Sequence, residues 1–167
     1  TSMNKIVFSI LRLLSDGEFH SGVLLAKKLQ CSRAKISKAL KHVDIWGVDL
    51  TKLCGRGYRW ENPVLWVNTN LIFRDASINS KLFDLKIFDF IDSTNNFLLS
   101  NLEKEQIGIE RISVVTAELP TNGRGRLGRT WYSGLGDSLI FSLRWRFAHG
   151  ISALSGLSLV IGVAIIR

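Results

Sequence analysis

Ser21–Lys41, SGVLLAKKLQCSRAKISKALK, decides the reading of the first third of the chain. Ser21 is an N-cap for a helix carrying Val23, Leu24, Leu25 and Leu29 on its buried face. Gln30-Cys31 interrupts it. Ser32 then caps a second helix that runs to about His42, with Ile36, Leu40 and Val43 turned inward. The positions left over are Arg33, Lys35, Ser37, Lys38 and Lys41, a basic and hydroxyl-bearing face. Upstream, Ile6, Val7, Ile10, Leu11, Leu13 and Leu14 recur at helical spacing and predict a helix over about Asn4–Ser15, which Asp16-Gly17 stops.

Downstream, Trp46-Gly47 is followed by two β-prone runs, Val48–Cys54 and Tyr58–Trp60, around Gly55-Arg56-Gly57. They predict a hairpin with Arg56 at its tip. Two short helices about a tight turn, the second one basic, followed by a basic hairpin, make the pattern of a winged helix-turn-helix. The predicted DNA contacts are Ser32, Arg33, Lys35, Ser37, Lys38, Lys41 and Arg56. A small helical domain with a merely solvated basic face is the alternative.

Charge points the same way. The 167 residues carry a net charge of +8, with an isoelectric point near 9.9. Residues 1–63 hold 11 Lys/Arg against 5 Asp/Glu, and residues 64–167 hold 11 against 9. The acidic partner that such a surplus favours is thus expected at the first third. An apolar fraction of 46% is ample for a packed core. Cys31 and Cys54 have no CxxC and no His at ligand spacing, so they read as reduced thiols of a cytoplasmic protein, with no metal site. His20, His42 and His149 are isolated and read as structural or surface residues. No signal peptide is read at the start, no membrane span is expected, and Thr1-Ser2 ahead of Met3 reads as non-native.

Glu61-Asn62-Pro63 marks a boundary, dividing the chain into 1–63 and 64–167. Val64–Ser80 reads as a linker with a short helix near Asn70–Asp75. Leu85–Ile91 is a strand, and Asp92-Ser93-Thr94-Asn95 then leads into a helix marked by Phe97, Leu98, Leu99 and Leu102. A polar cluster where a strand passes into a helix suits a polar or anionic ligand, although a plain cap uses the same residues. Arg111–Ala117 is a strand feeding a glycine-arginine loop, Gly123–Trp131 (GRGRLGRTW). Glycine lets backbone approach a ligand closely and arginine offers a fork of donors to phosphate or carboxylate. The loop fits neither the Walker A nor the dinucleotide spacing. A small-anion clamp, an exposed basic loop and a nucleic-acid contact all remain open on composition.

Ser138–Phe147 alternates, with Leu139, Phe141, Leu143, Trp145 and Phe147 on one face and Ser142, Arg144 and Arg146 on the other. It predicts a half-buried strand paired antiparallel to the one before the loop. Ile151–Ile166 is apolar apart from serines and glycines and predicts a buried helix, too short to span a membrane.

These pieces in this order resemble the bifunctional biotin protein ligase/biotin operon repressor family, over nearly all of residues 4–167. The matching stretches include Gly17–Gly22, Trp46–Asp49, Ser93-Thr94-Asn95, GRGRxGRxW and Gly156–Gly162. The resemblance implies an α+β protein. A winged helix-turn-helix would precede part of a mixed α/β domain of the biotin/lipoate ligase type, like that of class II aminoacyl-tRNA synthetases. It implies biotin and MgATP as substrates, no permanently bound cofactor, and a biotinyl-5′-AMP intermediate. The expected partners are biotin carboxyl carrier protein, operator DNA and a second copy once the adenylate is bound. Ser93, Thr94 and Asn95 would line the polar end of the biotin site. Gly123, Arg124, Gly125 and Arg126 would close over carboxylate and phosphate, with Arg124 and Arg126 catalytic and Trp131 near the adenylate.

Two departures limit this. Where such ligases commonly carry a glutamine three residues before the loop glycine, this chain has Pro120, leaving Thr121 or Asn122 as replacements. The family's Lys-Trp-Pro-Asn-Asp segment and its small C-terminal β domain would lie beyond Arg167, so a truncated product with little or no ligase activity is expected. A winged-helix regulator with a degenerate biotin-sensing domain is the second reading. A lipoate-ligase-like relative is the third, against which the winged helix speaks.

Overall fold

A computed structural model describes residues 2–74, 79–101, 111–122, 129, 133–147, 150 and 154–166. Its first part has three helices, α1 (Ser2–Leu13), α2 (Gly22–Lys28) and α3 (Arg33–Ala39). The two serine caps are present: Ser21 Oγ accepts from the Leu24 N–H at 3.1 Å and Ser32 Oγ from the Lys35 N–H at 3.2 Å. Each satisfies a donor that the first helical turn leaves open. Helix α3 is shorter than expected, ending at Ala39, but Ile36, Leu40 and Val43 are buried as read. Helix α2 requires a correction. Leu25 and Ala26 are buried and Leu29 packs on the core, whereas Val23 and Leu24 are exposed. Seven residues make two turns, so a single i, i+4 stripe reaches the core and its neighbours swing outward.

Strands β1 (Leu50–Leu53) and β2 (Gly57–Trp60) form an antiparallel hairpin, with Leu50 opposite Trp60. A further rung ties His20 to Tyr58 by two backbone hydrogen bonds of 2.9 Å. Gly57 makes this approach possible. It sits at φ +108°, and a Cβ there would lie 2.1 Å from the His20 carbonyl oxygen.

After α4 (Thr69–Ile72) comes a mixed three-stranded sheet ordered β3-β4-β5, from Phe83–Ile91, Ile112–Pro120 and Ile140–Arg144. Strands β3 and β4 are parallel, with Ile91 opposite Pro120, and α5 (Thr94–Ser100) lies in the crossover. Strands β4 and β5 are antiparallel as expected, with Ser113 opposite Arg144. The face reading of β5 is reversed. Leu139, Phe141, Leu143 and Trp145 are exposed, while Ser142 and Arg144 turn inward, where partners on α5 and β4 satisfy them. Helix α6 (Leu157–Ile166) exists, but Leu159 and Ile166 are 75% and 87% exposed, so the expected buried helix is not buried among the described residues.

The main core centres on Phe8. Its ring lies 5.5 Å from Trp46, 6.1 Å from Trp66 and 6.0 Å from Phe90. The cluster runs from the three helices and the hairpin to Leu119 and Leu135. Polar contacts frame it: Arg12 pairs with Asp89 and stacks 4.4 Å over Trp66, whose Nε1 donates to Ser15 Oγ at 2.7 Å.

Candidate functional site

Parallel pairing brings the C-terminal ends of β3 and β4 side by side, the edge at which open α/β sheets hold ligands. Ser93, Thr94 and Asn95 follow β3 directly. Ser93 caps α5, its Oγ accepting from the Asn96 N–H at 3.3 Å. Thr94 is buried, with Oγ1 2.8 Å from Ser142 Oγ on β5. Asn95 is exposed beside them. From β4, the Thr121 N–H donates to the Ile91 carbonyl at 2.8 Å and the Asn122 N–H to that of Asp92 at 3.0 Å. The root of the glycine-arginine loop is therefore bonded to the two residues just ahead of Ser93. Pro120 removes no rung here, because Thr121 supplies the donor to Ile91.

Gly123, Arg124, Gly125, Arg126 and Trp131 lie outside the described residues. On the far side of the loop, the Gly134 N–H donates to the Asp137 carboxylate at 2.8 Å. Leu135 is buried, and its N–H donates to the Trp46 carbonyl at 2.7 Å.

Sequence reasoning missed two inward side chains on β5. Ser142 is the partner of Thr94, and the Arg144 guanidinium reaches the carbonyls of Leu98 and Asn101 and Ser113 Oγ at 3.3–3.5 Å. The available signal was the polar half of the β5 alternation. Glu118 is a third, only 6% exposed, accepting the Val67 N–H at 2.8 Å. Burial pushes its carboxyl above the usual range, against the opposing pull of that hydrogen bond and of Arg12.

The basic face forms as read. Arg33, Lys35, Ser37, Lys38, Lys41 and Arg56 are all exposed. Ser32 is exposed too, but its hydroxyl is engaged in the cap. A cleft of about 680 Å³ separates α2 and α3 from the hairpin, bringing Arg33 and Ser37 together with Lys52, which sequence reasoning did not single out. Among the described residues no ion pair neutralises Arg33, Lys35, Lys38, Lys41 or Arg56.

Residues 87–167, from within β3 to the last residue of the chain, match the biotin/lipoate A/B protein ligase family. Along nearly its whole length the chain is also similar to the bifunctional ligase/repressor BirA of three bacteria. Identity is 36% over 158 residues with the Salmonella typhimurium protein, covering 95% of this chain and 47% of that one. With the Escherichia coli protein it is 37% over 160 residues, covering 96% and 47%. With the Bacillus spizizenii protein it is 25% over 156 residues, covering 92% and 46%. The chain thus spans about half the length of the curated relatives it matches. No described helix is long and apolar enough to cross a membrane.

Proposed function

We propose that this chain is part of a cytoplasmic biotin protein ligase that also represses transcription. Residues 1–63 form a winged-helix DNA-binding domain and residues 64–167 the first part of the catalytic domain. The observation that carries the reading is the convergence of Ser93-Thr94-Asn95 and the loop root Thr121-Asn122 at one sheet edge inside the family-matched stretch.

In this reading the biotin carboxylate attacks the α-phosphate of MgATP, forming biotinyl-5′-adenylate and releasing pyrophosphate. A lysine amine of biotin carboxyl carrier protein then attacks the mixed anhydride and AMP leaves. Neutral ureido groups suit the hydroxyl and amide side chains of Ser93, Thr94 and Asn95. Charge developing on carboxyl and phosphoryl oxygens suits Arg124 and Arg126. Trp131 is assigned to the adenylate by the same reading. A loop closed over the anhydride also shields it from water. The adenylate promotes pairing of two copies, and twofold symmetry then matches a palindromic operator.

In the full-length protein, Arg126→Ala is expected to release adenylate faster by about tenfold or more, the scale of one charge-assisted hydrogen bond. Unchanged retention would remove Arg126 from the site. Lys38→Ala is expected to weaken DNA binding and flatten its salt dependence. An unaltered slope would place DNA on another face. Pro120, which lacks a side-chain amide, favours one second reading, a regulator that senses the adenylate without transferring it. In the full-length protein, tight adenylate binding with no biotin on the carrier lysine would select that reading.

A further inference from the structure

Three cations of the hairpin rest on aromatic rings. The Arg56 and Arg59 guanidinium carbons lie 4.6 and 5.4 Å from the Phe19 centroid, and Lys52 Nζ lies 5.6 Å from that of Tyr58. Arg59 is already paired with Glu61, whereas Arg56 is exposed and in no ion pair among the described residues. The backbone beside the ring under Arg56 is tied to the hairpin. Phe19 precedes His20, which is bonded both ways to Tyr58 of β2, and Gly57 permits that contact. Arg56 thus sits between two glycines at the hairpin tip, where the backbone alone would leave its long side chain free to wander.

We infer that Phe19 is a positioning residue for DNA binding. Its ring holds the Arg56 guanidinium in place and leaves its donors open, so that the hairpin tip presents a pre-ordered cation to a duplex phosphate. The inference rests on the DNA-binding reading above and deepens it. A guanidinium stacked on an aromatic face keeps its in-plane N–H groups available, and the rotamer freedom lost on meeting phosphate is smaller. The occupant is the phosphate backbone of duplex DNA, because a point contact of this kind carries no base sequence.

The test is fluorescence anisotropy of the whole chain with a random-sequence duplex DNA across a salt series, for the unsubstituted protein, Phe19→Leu, Phe19→Tyr, Arg56→Ala and Phe19→Leu/Arg56→Ala. Phe19→Leu is expected to weaken binding about threefold and to take about 0.9 off the log–log salt slope, one phosphate's share, although it removes no charge. Phe19→Tyr restores both, since it keeps the ring. The double variant binds no worse than Arg56→Ala, because the ring acts only through that arginine. Phe19→Leu with unchanged slope, or effects that multiply in the double variant, would overturn the role of Phe19 while leaving DNA binding intact. No salt-dependent binding by the unsubstituted chain would overturn the DNA-binding reading itself, and this inference with it.

Discussion

Glu118 and Thr94 carry the chemistry that is most local to the sheet edge. Glu118 sits on β4 two residues before Pro120, buried, with one N–H for a partner. Its folded pKa is raised above 4.5, so the fold disfavours the ionised form. The contribution of Glu118 to stability is therefore full below about pH 4.5 and is lost as pH rises through the raised folded value. Glu118→Gln keeps an acceptor for the Val67 N–H and never ionises. Its melting temperature is expected to exceed that of the parent at neutral pH, with the gap closing below about pH 4.5; a gap independent of pH would contradict the raised pKa. Thr94 is read as a candidate site residue because a hydroxyl-amide triplet follows a strand. That its Oγ1 meets Ser142 was not legible, since the two are 48 residues apart and only strand pairing brings them together.

At the level of elements, caps and glycine stops placed α1, α2, α3 and the hairpin because those signals act within a few residues. The faces of α2 and β5 were less legible. Alternation in β5 says only that its two faces differ. Which one is inward depends on whether acceptors wait there, and Ser113 with the carbonyls ending α5 provides them for Arg144. The hairpin depends on a contact no local rule announces. Gly57→Ala would place a Cβ against the His20 carbonyl in a backbone conformation that L side chains rarely adopt. Chemical denaturation is expected to show a loss of about 1–3 kcal/mol. A loss near zero would mean that the His20–Tyr58 rung yields freely.

Across the whole molecule, the aromatic cluster around Phe8 joins α1 to Trp46, Trp66 and Phe90, so the helical part and the sheet share packing. Phe8→Ala is expected to cost about 3–5 kcal/mol in a denaturant titration, with both parts melting in one transition. Two separate transitions would show that the shared core does not couple them. Periodicity foresaw most of the α1 residues in this cluster but omitted Phe8 itself and could not foresee Phe90, because tertiary contacts leave no local signature. The candidate site was legible for a different reason: Ser93-Thr94-Asn95 and the loop each stand next to a strand, and parallel pairing puts their roots together. The central claim is that this edge binds the polar end of biotin. Calorimetric titration of the chain with biotinyl-5′-adenylate tests it most directly. Saturable one-site binding, weakened at least about tenfold by Asn95→Ala, is the predicted result; no binding, or binding indifferent to Asn95, would contradict it.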